Sequence, residues 1–219
     1  LAGQGFGFCD GHGRKIYLNF GRAYNWTVRI IAGSHRSRQL LAPPDAAVTR
    51  PITDRVKENL FNRLMAMGLL GGGYVADLFA GIGSLGLESL SRGAEHCTFV
   101  ECHRQIRHLL QQNLDNLDLA GKSRVLDADM LAADPATLFE HQPLRLIFVD
   151  PPYHLTADGV GHQRVHTLAA SLAKITEPDG ALILRSGFPN QFGTATGWLG
   201  PEVQAYGNML VHIYIAEEK

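Results

Sequence analysis

A regular alternation of strand-like and helix-like segments constrains the fold of this chain more than any other feature. The strand-like runs, which amphipathic helical stretches separate, are YVADLF, CTFVE, SRVLDAD, LRLIFVD and ALILRS. The run LRLIFVD contains the continuously apolar stretch LIFV, which is typical of a strand buried on both faces. Because parallel strands joined by crossover helices produce this pattern, we expect an α/β fold with a Rossmann-like, doubly wound, mostly parallel sheet.

The chain divides into three predicted regions. Residues 1–27 are rich in glycine and show little periodicity, so we predict that they form a flexible leader. We interpret this leader as an upstream extension, with Val28 as an alternative start of translation. Residues 28–70 contain a predicted basic hairpin, VRIIAGSHRSRQL, and a helix with Thr53 as its N-cap. Residues 71–219 are predicted to form the main α/β domain.

An acidic residue stands at the C-terminal end of each of the first four strands of the alternation. These residues are Asp77, Glu101, Asp129 and Asp150. In an open α/β sheet the ligand crevice lies at the carboxyl ends of the strands. We therefore predict that the four carboxylates line one crevice.

The loop after the first of these strands, GIGSLG, matches the dinucleotide fingerprint G-x-G-x-x-G, and Glu101 stands where such an enzyme places its ribose-binding acid. Gly81 and Gly83 permit a tight turn and a close approach of the backbone to a ligand. Asp77 argues against a nicotinamide or flavin, because a carboxylate at the loop would repel a pyrophosphate. It suits S-adenosylmethionine, which carries an ammonium group and a sulfonium charge but no phosphate.

The fourth strand ends in Asp150, Pro151, Pro152 and Tyr153. The two prolines fix the backbone and lack N–H donors, so carbonyl oxygens are left to face the crevice. Asp150 and the Pro151 carbonyl can each accept one hydrogen of a planar amine, and Tyr153 can stack on the ring that bears it. Two acceptors stabilise the positive charge that develops on this nitrogen during methyl transfer. The segment therefore predicts methylation of an exocyclic base amine.

These motifs, together with RIIAGSHRSRQL, RPITDRVKENLFNRL and the late YGNMLVHIY, resemble the bacterial 16S ribosomal RNA guanine-N2 methyltransferase family of RsmD type. The resemblance covers most of residues 28–217 and implies an S-adenosylmethionine-dependent methyltransferase domain in residues 71–219. Its implied substrate is guanine 966 of 16S ribosomal RNA, free or in the small ribosomal subunit. The chain departs from the family pattern at Met130, where an alanine is more usual, and in ALILRSGF, where an acid often stands beside the strand.

The resemblance also assigns roles to the crevice residues. It implies that the methionine part of the cofactor is held by Asp77, Phe79, Gly81 and Gly83. Glu101 is implied to hold the ribose hydroxyls, and Asp129 the adenine amine. The target base is implied to contact Asp150, Pro151, Pro152 and Tyr153.

Charge is distributed unevenly along the chain. Residues 1–63 hold ten Lys and Arg against four Asp and Glu, whereas residues 64–219 hold ten against seventeen. A basic N-terminal segment beside an acidic body indicates an anionic partner at one end, although a solvated surface gives the same asymmetry. The arginines that we predict to bind RNA phosphates are Arg36, Arg38, Arg50 and Arg55.

Several classes of protein are disfavoured by simple features of the sequence. No apolar run approaches the roughly 18 residues of a membrane span, and the first 27 residues lack the layout of a secretory signal. The three cysteines, Cys9, Cys97 and Cys102, form no CxxC pair, which argues against structural zinc. We therefore expect a cytoplasmic, monomeric enzyme that requires neither a metal nor a membrane.

Three alternatives to the RNA methyltransferase stay open. An adenine-N6 DNA methyltransferase uses the same chemistry, but no separate target-recognition domain is visible in 219 residues. A nicotinamide-dependent oxidoreductase is disfavoured by Asp77 and by the Asp150–Tyr153 segment. An inactive RNA-binding module that kept the fold is disfavoured by the four intact strand-end acids.

Overall fold

The computed structural model describes residues 27–43, 52–157 and 159–218, together with the backbone of residues 6–9 and 15–18. In the predicted leader, β1 (Phe6–Cys9) pairs antiparallel with β2 (Lys15–Leu18), so this region contains a hairpin that the sequence did not predict. The other residues of the leader up to residue 26 lie outside the described residues, and its flexibility stays a prediction.

The basic N-terminal region has the predicted hairpin and helix. Strand β3 (Val28–Arg29) pairs antiparallel with β4 (Gln39–Leu40), and α1 follows over Asp54–Ala66. The Thr53 hydroxyl accepts a hydrogen bond from the Val56 N–H at 3.4 Å, which confirms Thr53 as the N-cap.

A seven-stranded sheet forms the centre of the molecule. Its strands are β5 (Tyr74–Leu78), β6 (His96–Val100), β7 (Ser123–Leu126), β8 (Leu144–Val149), β9 (Thr176–Gly187), β10 (Trp198–Tyr206) and β11 (Met209–Ala216). Their spatial order is β7-β6-β5-β8-β9-β11-β10, and β11 runs opposite in direction to the other six strands. The predicted doubly wound, mostly parallel sheet is thus confirmed. Its order reverses between β5 and β8, where ligands bind in folds of this kind.

Helices cover both faces of the sheet. They are α2 (Ser84–Ser91), α3 (Arg104–Asn116), α4 (Pro135–Leu138), α5 (Tyr153–Ala157) and α6 (Gly159–Leu172). The helical stretches expected between the strands form α2, α3, α4 and α6, whereas no pattern predicted α5 or the edge strand β10. Within the described parts of the chain, no helix combines the length and the apolar character needed to cross a bilayer.

The N-terminal hairpin and α1 share a hydrophobic core with the sheet. Ile30 on the hairpin and Phe61 on α1 are fully buried, in the same cluster as Phe99 of β6 and Phe148 of β8. The rings of Phe61 and Phe148 have centroids 5.8 Å apart. The described residues of the 28–70 region therefore pack as part of the main body, and the domain boundaries drawn from the sequence stay predictions.

Candidate active site

The turn between β5 and α2 has an unusual backbone. Phe79, Gly81 and Gly83 have φ angles of 60°, 56° and 86°, in the left-handed region that favours glycine. For Phe79 this conformation costs about 1–3 kcal/mol, so it persists because the surrounding structure enforces it. The Ala80 N–H donates to the Val100 carbonyl at 3.0 Å and the Gly83 N–H to the Ala80 carbonyl at 2.8 Å, which fixes the turn.

The glycines of the fingerprint have separate roles. A Cβ on Gly86 would lie 2.4 Å from a ring carbon of Phe99 and 2.7 Å from the Cys97 sulfur, so Gly86 lets α2 pack closely on β6. At Gly81, by contrast, no described atom lies within 4 Å of the place where a Cβ would stand. The loop is therefore open at Gly81, where a ligand can approach the backbone.

Asp77, at the end of β5, lies beneath this loop. Its side chain is nearly inaccessible, at 2% exposure, and its Oδ2 atom accepts a hydrogen bond from the Gly86 N–H at 2.8 Å. Burial raises the pKa of Asp77 well above its usual range, and the hydrogen bond from Gly86 opposes the rise. The structure thus puts Asp77 under the first turn of α2 rather than on an open floor of the crevice.

Glu101, directly after β6, connects that strand to the glycine loop. Its Oε2 atom accepts from the Gly81 N–H at 2.9 Å and its Oε1 atom from the His103 N–H at 2.7 Å. Burial raises the pKa of Glu101, while the two backbone donors lower it. Glu101 therefore contacts the glycine loop directly.

Asp129 and Asp127 follow β7 and differ in their partners. Asp129 is exposed, and its Oδ1 atom accepts from the Leu131 N–H at 2.9 Å. Asp127 is held by both terminal nitrogens of Arg107, at 2.9 and 2.6 Å, and the same arginine donates to the Glu101 carbonyl at 2.8 Å. Sequence reasoning missed this clamp between β6 and β7, because its members are far apart along the chain.

Asp150 follows β8 and forms an ion pair with Arg185 of the neighbouring strand β9. The Asp150 side chain keeps 27% exposure, whereas the Arg185 side chain keeps 5%. Burial raises the pKa of Asp150, and the guanidinium of Arg185 opposes the rise. Sequence reasoning missed Arg185, although a charged residue in the apolar run ALILRS was an available signal.

The prolines and the tyrosine after Asp150 continue the crevice wall. Pro151 is buried, and Pro152 and Tyr153 are half-buried at the start of α5. A Cβ on Gly187, at the end of β9, would lie 3.2 Å from carbons of the Tyr153 ring. The end of β9 therefore supports the ring from one side.

The sheet brings the four strand-end acids to one edge, although Asp77 is buried beneath the glycine loop instead of lining an open crevice as predicted. Strands β7, β6, β5 and β8 are parallel neighbours, so their carboxyl ends meet at one edge. The charges of Asp150 and Glu101 add to the rise in the pKa of Asp77, so these three groups act on one another electrostatically. Among the described residues, no three His, Cys, Asp or Glu side chains are grouped so that they could hold a metal ion.

The arginines predicted to bind RNA occupy two places. Arg36 and Arg38 are exposed on the hairpin, and Arg38 donates to the Asn116 carbonyl at the end of α3 at 2.9 Å. The hairpin turn binds the end of α2, about 12 Å from the glycine loop along that eight-residue helix. Arg55 is exposed near the start of α1, and Arg50 lies outside the described residues.

The strand order, with antiparallel β11 between β9 and β10, and the glycine loop beside strand-end acids are those of the class I methyltransferases. Within this class, residues 28–214 match the family described as "Conserved hypothetical protein 95". The chain belongs to this family, which is the RsmD-type family indicated by the sequence motifs.

Individual relatives agree with this assignment. The chain is 41% identical over 128 residues to ribosomal RNA small subunit methyltransferase D of Escherichia coli strain K12, which is 58% of this chain and 60% of that protein. The chain is 40% identical over 129 residues to the Haemophilus influenzae protein of the same name, and this match covers 58% of this chain and 64% of that protein. The match therefore spans less than two thirds of these curated relatives.

Solved structures extend the likeness over more of the chain. The Escherichia coli protein yhhF has a TM-score of 0.70 and 30% identity, over 89% of this chain and 100% of that one. An RNA methyltransferase from Salinibacter ruber, solved in complex with S-adenosyl-L-homocysteine, has a TM-score of 0.55 and 13% identity, over 77% of this chain and 95% of that one. At this identity the second likeness concerns the fold alone.

Proposed function

We propose that this protein transfers a methyl group from S-adenosylmethionine to an exocyclic amine of a base in ribosomal RNA. The observation that carries the proposal is the position of the Asp150–Tyr153 segment. It follows β8 and stands across the switch point from the open loop at Gly81, so a base amine and a bound cofactor would meet there.

The crevice residues fit S-adenosylmethionine. The open backbone at Gly81 would admit the methionine part, and Phe79 and Gly83 shape the turn that presents it. The carboxyls of Asp77 and Glu101 beneath and beside the loop favour a cationic ligand. Glu101 would accept from the ribose hydroxyls, and Asp129, which is exposed, would accept from the adenine amine. A pyrophosphate is disfavoured in the same place, because Asp77 and Glu101 would repel it. When bound, the cofactor supplies an electrophilic methyl group.

The residues after β8 orient the target amine and stabilise its charge. Arg185 engages Oδ2 of Asp150, and the other carboxylate oxygen and the Pro151 carbonyl accept the two hydrogens of the amine. These acceptors stabilise the positive charge that develops on nitrogen as the new N–C bond forms. Tyr153, supported by Gly187, stacks on the ring and sets its plane.

The specific substrate that we propose is the N2 amine of guanine 966 in 16S ribosomal RNA, free or in the small subunit. The name of the relatives, ribosomal RNA small subunit methyltransferase D, supports a small-subunit RNA as the substrate, and the resemblance of the sequence motifs supports the choice of this amine. Arg36, Arg38, Arg50 and Arg55 would contribute RNA affinity through phosphates rather than chemistry. The protein is proposed to act without a metal and as a monomer.

Two measurements test the function. Calorimetry should detect binding of S-adenosylmethionine and of its demethylated product, but not of NAD or FAD. Incubation with small-subunit RNA and labelled cofactor, followed by nuclease digestion and mass spectrometry, should locate the label on guanine N2. Label on adenine N6 of duplex DNA would replace the proposal with the DNA methyltransferase, and NAD binding without S-adenosylmethionine binding would replace it with an oxidoreductase.

A further inference from the structure

Arg185 is a buried cation beside a residue of the proposed substrate site. Strands β8 and β9 run parallel with Val149 opposite Leu184, so Asp150 and Arg185 are the next residues of the two strands. Arg185 is 4% exposed, its Nε atom lies 3.0 Å from the Met209 sulfur, and one of its terminal nitrogens donates to Asp150 Oδ2. The arginine is thus fixed between β8 and β11.

We propose that Arg185 is a positioning residue for methyl transfer, which holds the Asp150 carboxylate in place as an acceptor for the target amine. The inference rests on the proposed function of Asp150. An ionised carboxylate only accepts hydrogen bonds, whereas a protonated one carries an O–H donor that would face the N–H donors of the amine. Arg185 therefore acts on the substrate through Asp150.

The surroundings of Asp150 make this partner necessary. Burial favours the neutral acid, and the carboxyl of Asp77 on β5 adds negative charge nearby. Tyr153 and His154 are the titratable residues on α5, which follows Asp150. Arg185 opposes these effects, because its guanidinium places a positive charge in direct contact with the Asp150 carboxylate.

The other end of the same two strands provides a matched pair. Arg145 at the start of β8 binds Glu177 at the start of β9, with 2.9 Å between a terminal nitrogen and Oε1. Arg145 also donates to the Gly68 carbonyl at 2.6 Å. This pair joins the same strands at the end away from the crevice, so Arg145→Met is the control for a purely structural loss.

The test is the pH profile of the single-turnover methyl-transfer rate, with saturating cofactor and RNA. In Arg185→Met the acid limb should move to higher pH, because loss of the guanidinium raises the pKa of Asp150. At pH values below its limb the variant should be slower than the parent by about tenfold for each pKa unit of the shift, and it should approach the parent as the pH rises. In Arg185→Lys the acid limb should lie at a pH between those of the parent and of Arg185→Met. In Arg145→Met the acid limb should lie at the same pH as in the parent.

An equal loss of rate at every pH in Arg185→Met would overturn the proposal. If that variant does not fold, an unshifted acid limb in Arg185→Lys would do the same. A titration of the Asp150 carboxyl by carbon-13 NMR, in parent and variants without RNA, gives a readout independent of activity. If the parent methylates no RNA, the proposed function fails, while the titration still decides whether Arg185 controls the ionisation of Asp150.

Discussion

Glu88 and Asp150 are both acids in the protein interior, but they are held in different ways. Glu88 on α2 is fully buried, and its oxygens accept from the N–H groups of Ile31 and Ala32 at 2.7 and 3.0 Å and from Arg92 Nε at 2.8 Å. Asp150 keeps 27% exposure and pairs with one guanidinium. A carboxylate whose oxygens all accept hydrogen bonds from the protein stabilises the fold, whereas a carboxylate with an accessible oxygen can also bind a ligand.

The saturated cluster around Glu88 holds the hairpin, α1 and α2 together. Lys57 of α1 lies 3.6 Å from Glu88 and donates to the Arg29 carbonyl at 2.5 Å and to the Ser84 hydroxyl at 3.2 Å. Burial lowers the pKa of Lys57, and the charge of Glu88 opposes that change. The comparison therefore predicts losses of stability at Glu88 and losses of function in the crevice.

The largest expected effect is on stability. Glu88→Ala leaves the buried charges of Lys57 and Arg92 without their counter-charge, and should lower the free energy of unfolding by about 3–5 kcal/mol. Urea denaturation measures this, and Asp115→Ala, at an exposed helical acid, should stay within about 0.5 kcal/mol of the parent. If Glu88→Ala lowers the free energy of unfolding as little as Asp115→Ala does, the distinction between stabilising and ligand-binding acids is wrong.

The next effect is on chemistry. Asp150→Ala removes a group that stabilises charge in the transition state, so the single-turnover rate should fall by about 10²–10³-fold, or about 2.7–4 kcal/mol. Cofactor affinity, measured by calorimetry, should stay within a few-fold of the parent. Weakened cofactor binding with normal single-turnover chemistry would assign Asp150 to the cofactor instead of the base.

A smaller effect is expected on cofactor affinity. Glu101→Ala should weaken S-adenosylmethionine binding by about 1–3 kcal/mol, the scale of hydrogen bonds to a charged group. Glu95→Ala is the matched control, because Glu95 precedes β6 and binds the Gly73 N–H, whereas Glu101 follows the same strand. Calorimetry on both variants measures the cofactor affinity. If both substitutions weaken it equally, Glu101 has no specific role in cofactor binding.

The same site has a predicted pH dependence. A cationic cofactor binds the ionised carboxylates, and burial raises the pKa of both Asp77 and Glu101. Affinity should therefore fall on acidification at a higher pH than ordinary carboxyls would give, by up to about tenfold per pH unit for each group. Glu101→Gln should flatten the calorimetric pH series, and an unchanged slope would assign the dependence to another group.

The smallest effect is expected at the hairpin. Replacing Arg36 and Arg38 together with Ala should flatten the log–log salt dependence of RNA binding by roughly one to two units, with cofactor affinity unchanged. Arg38 already donates to the Asn116 carbonyl, so Arg36 should account for the larger share. Arg124→Ala, which removes an exposed ion pair with Glu140, is the control. If the salt dependence of the double variant is unchanged, the basic N-terminal segment is a solvated surface that does not bind RNA phosphates.

Local patterns predicted the positions of the acids, but not their partners. Strand and helix periods depend on neighbours in sequence, so the ends of β5, β6, β7 and β8 could be located. Asp150 and Arg185 are 35 residues apart, and Ile31 and Glu88 are 57 apart. Such contacts arise from the packing of the whole fold, and no local pattern encodes them.

The missed edge strand has a different cause. In β10 the sequence WLGPEVQAY contains Gly200 and Pro201, which disfavour a strand, and most of its residues are exposed or half-buried. Only its pairing with the apolar β11 makes it a strand. Tertiary pairing thus decided a segment for which residue preferences indicated a loop.

The irregularity of β10 also bears on how the protein behaves in a crowded solution. As an outer strand it presents backbone groups on which another chain could add a strand. The register shifts between Leu199 and Glu202, Pro201 has no N–H to donate, and Glu202 pairs with Arg63 beside it. A strand from another molecule would therefore meet an interrupted row of backbone hydrogen-bonding groups with charged side chains at its middle. This arrangement disfavours edge-to-edge aggregation on this side of the sheet.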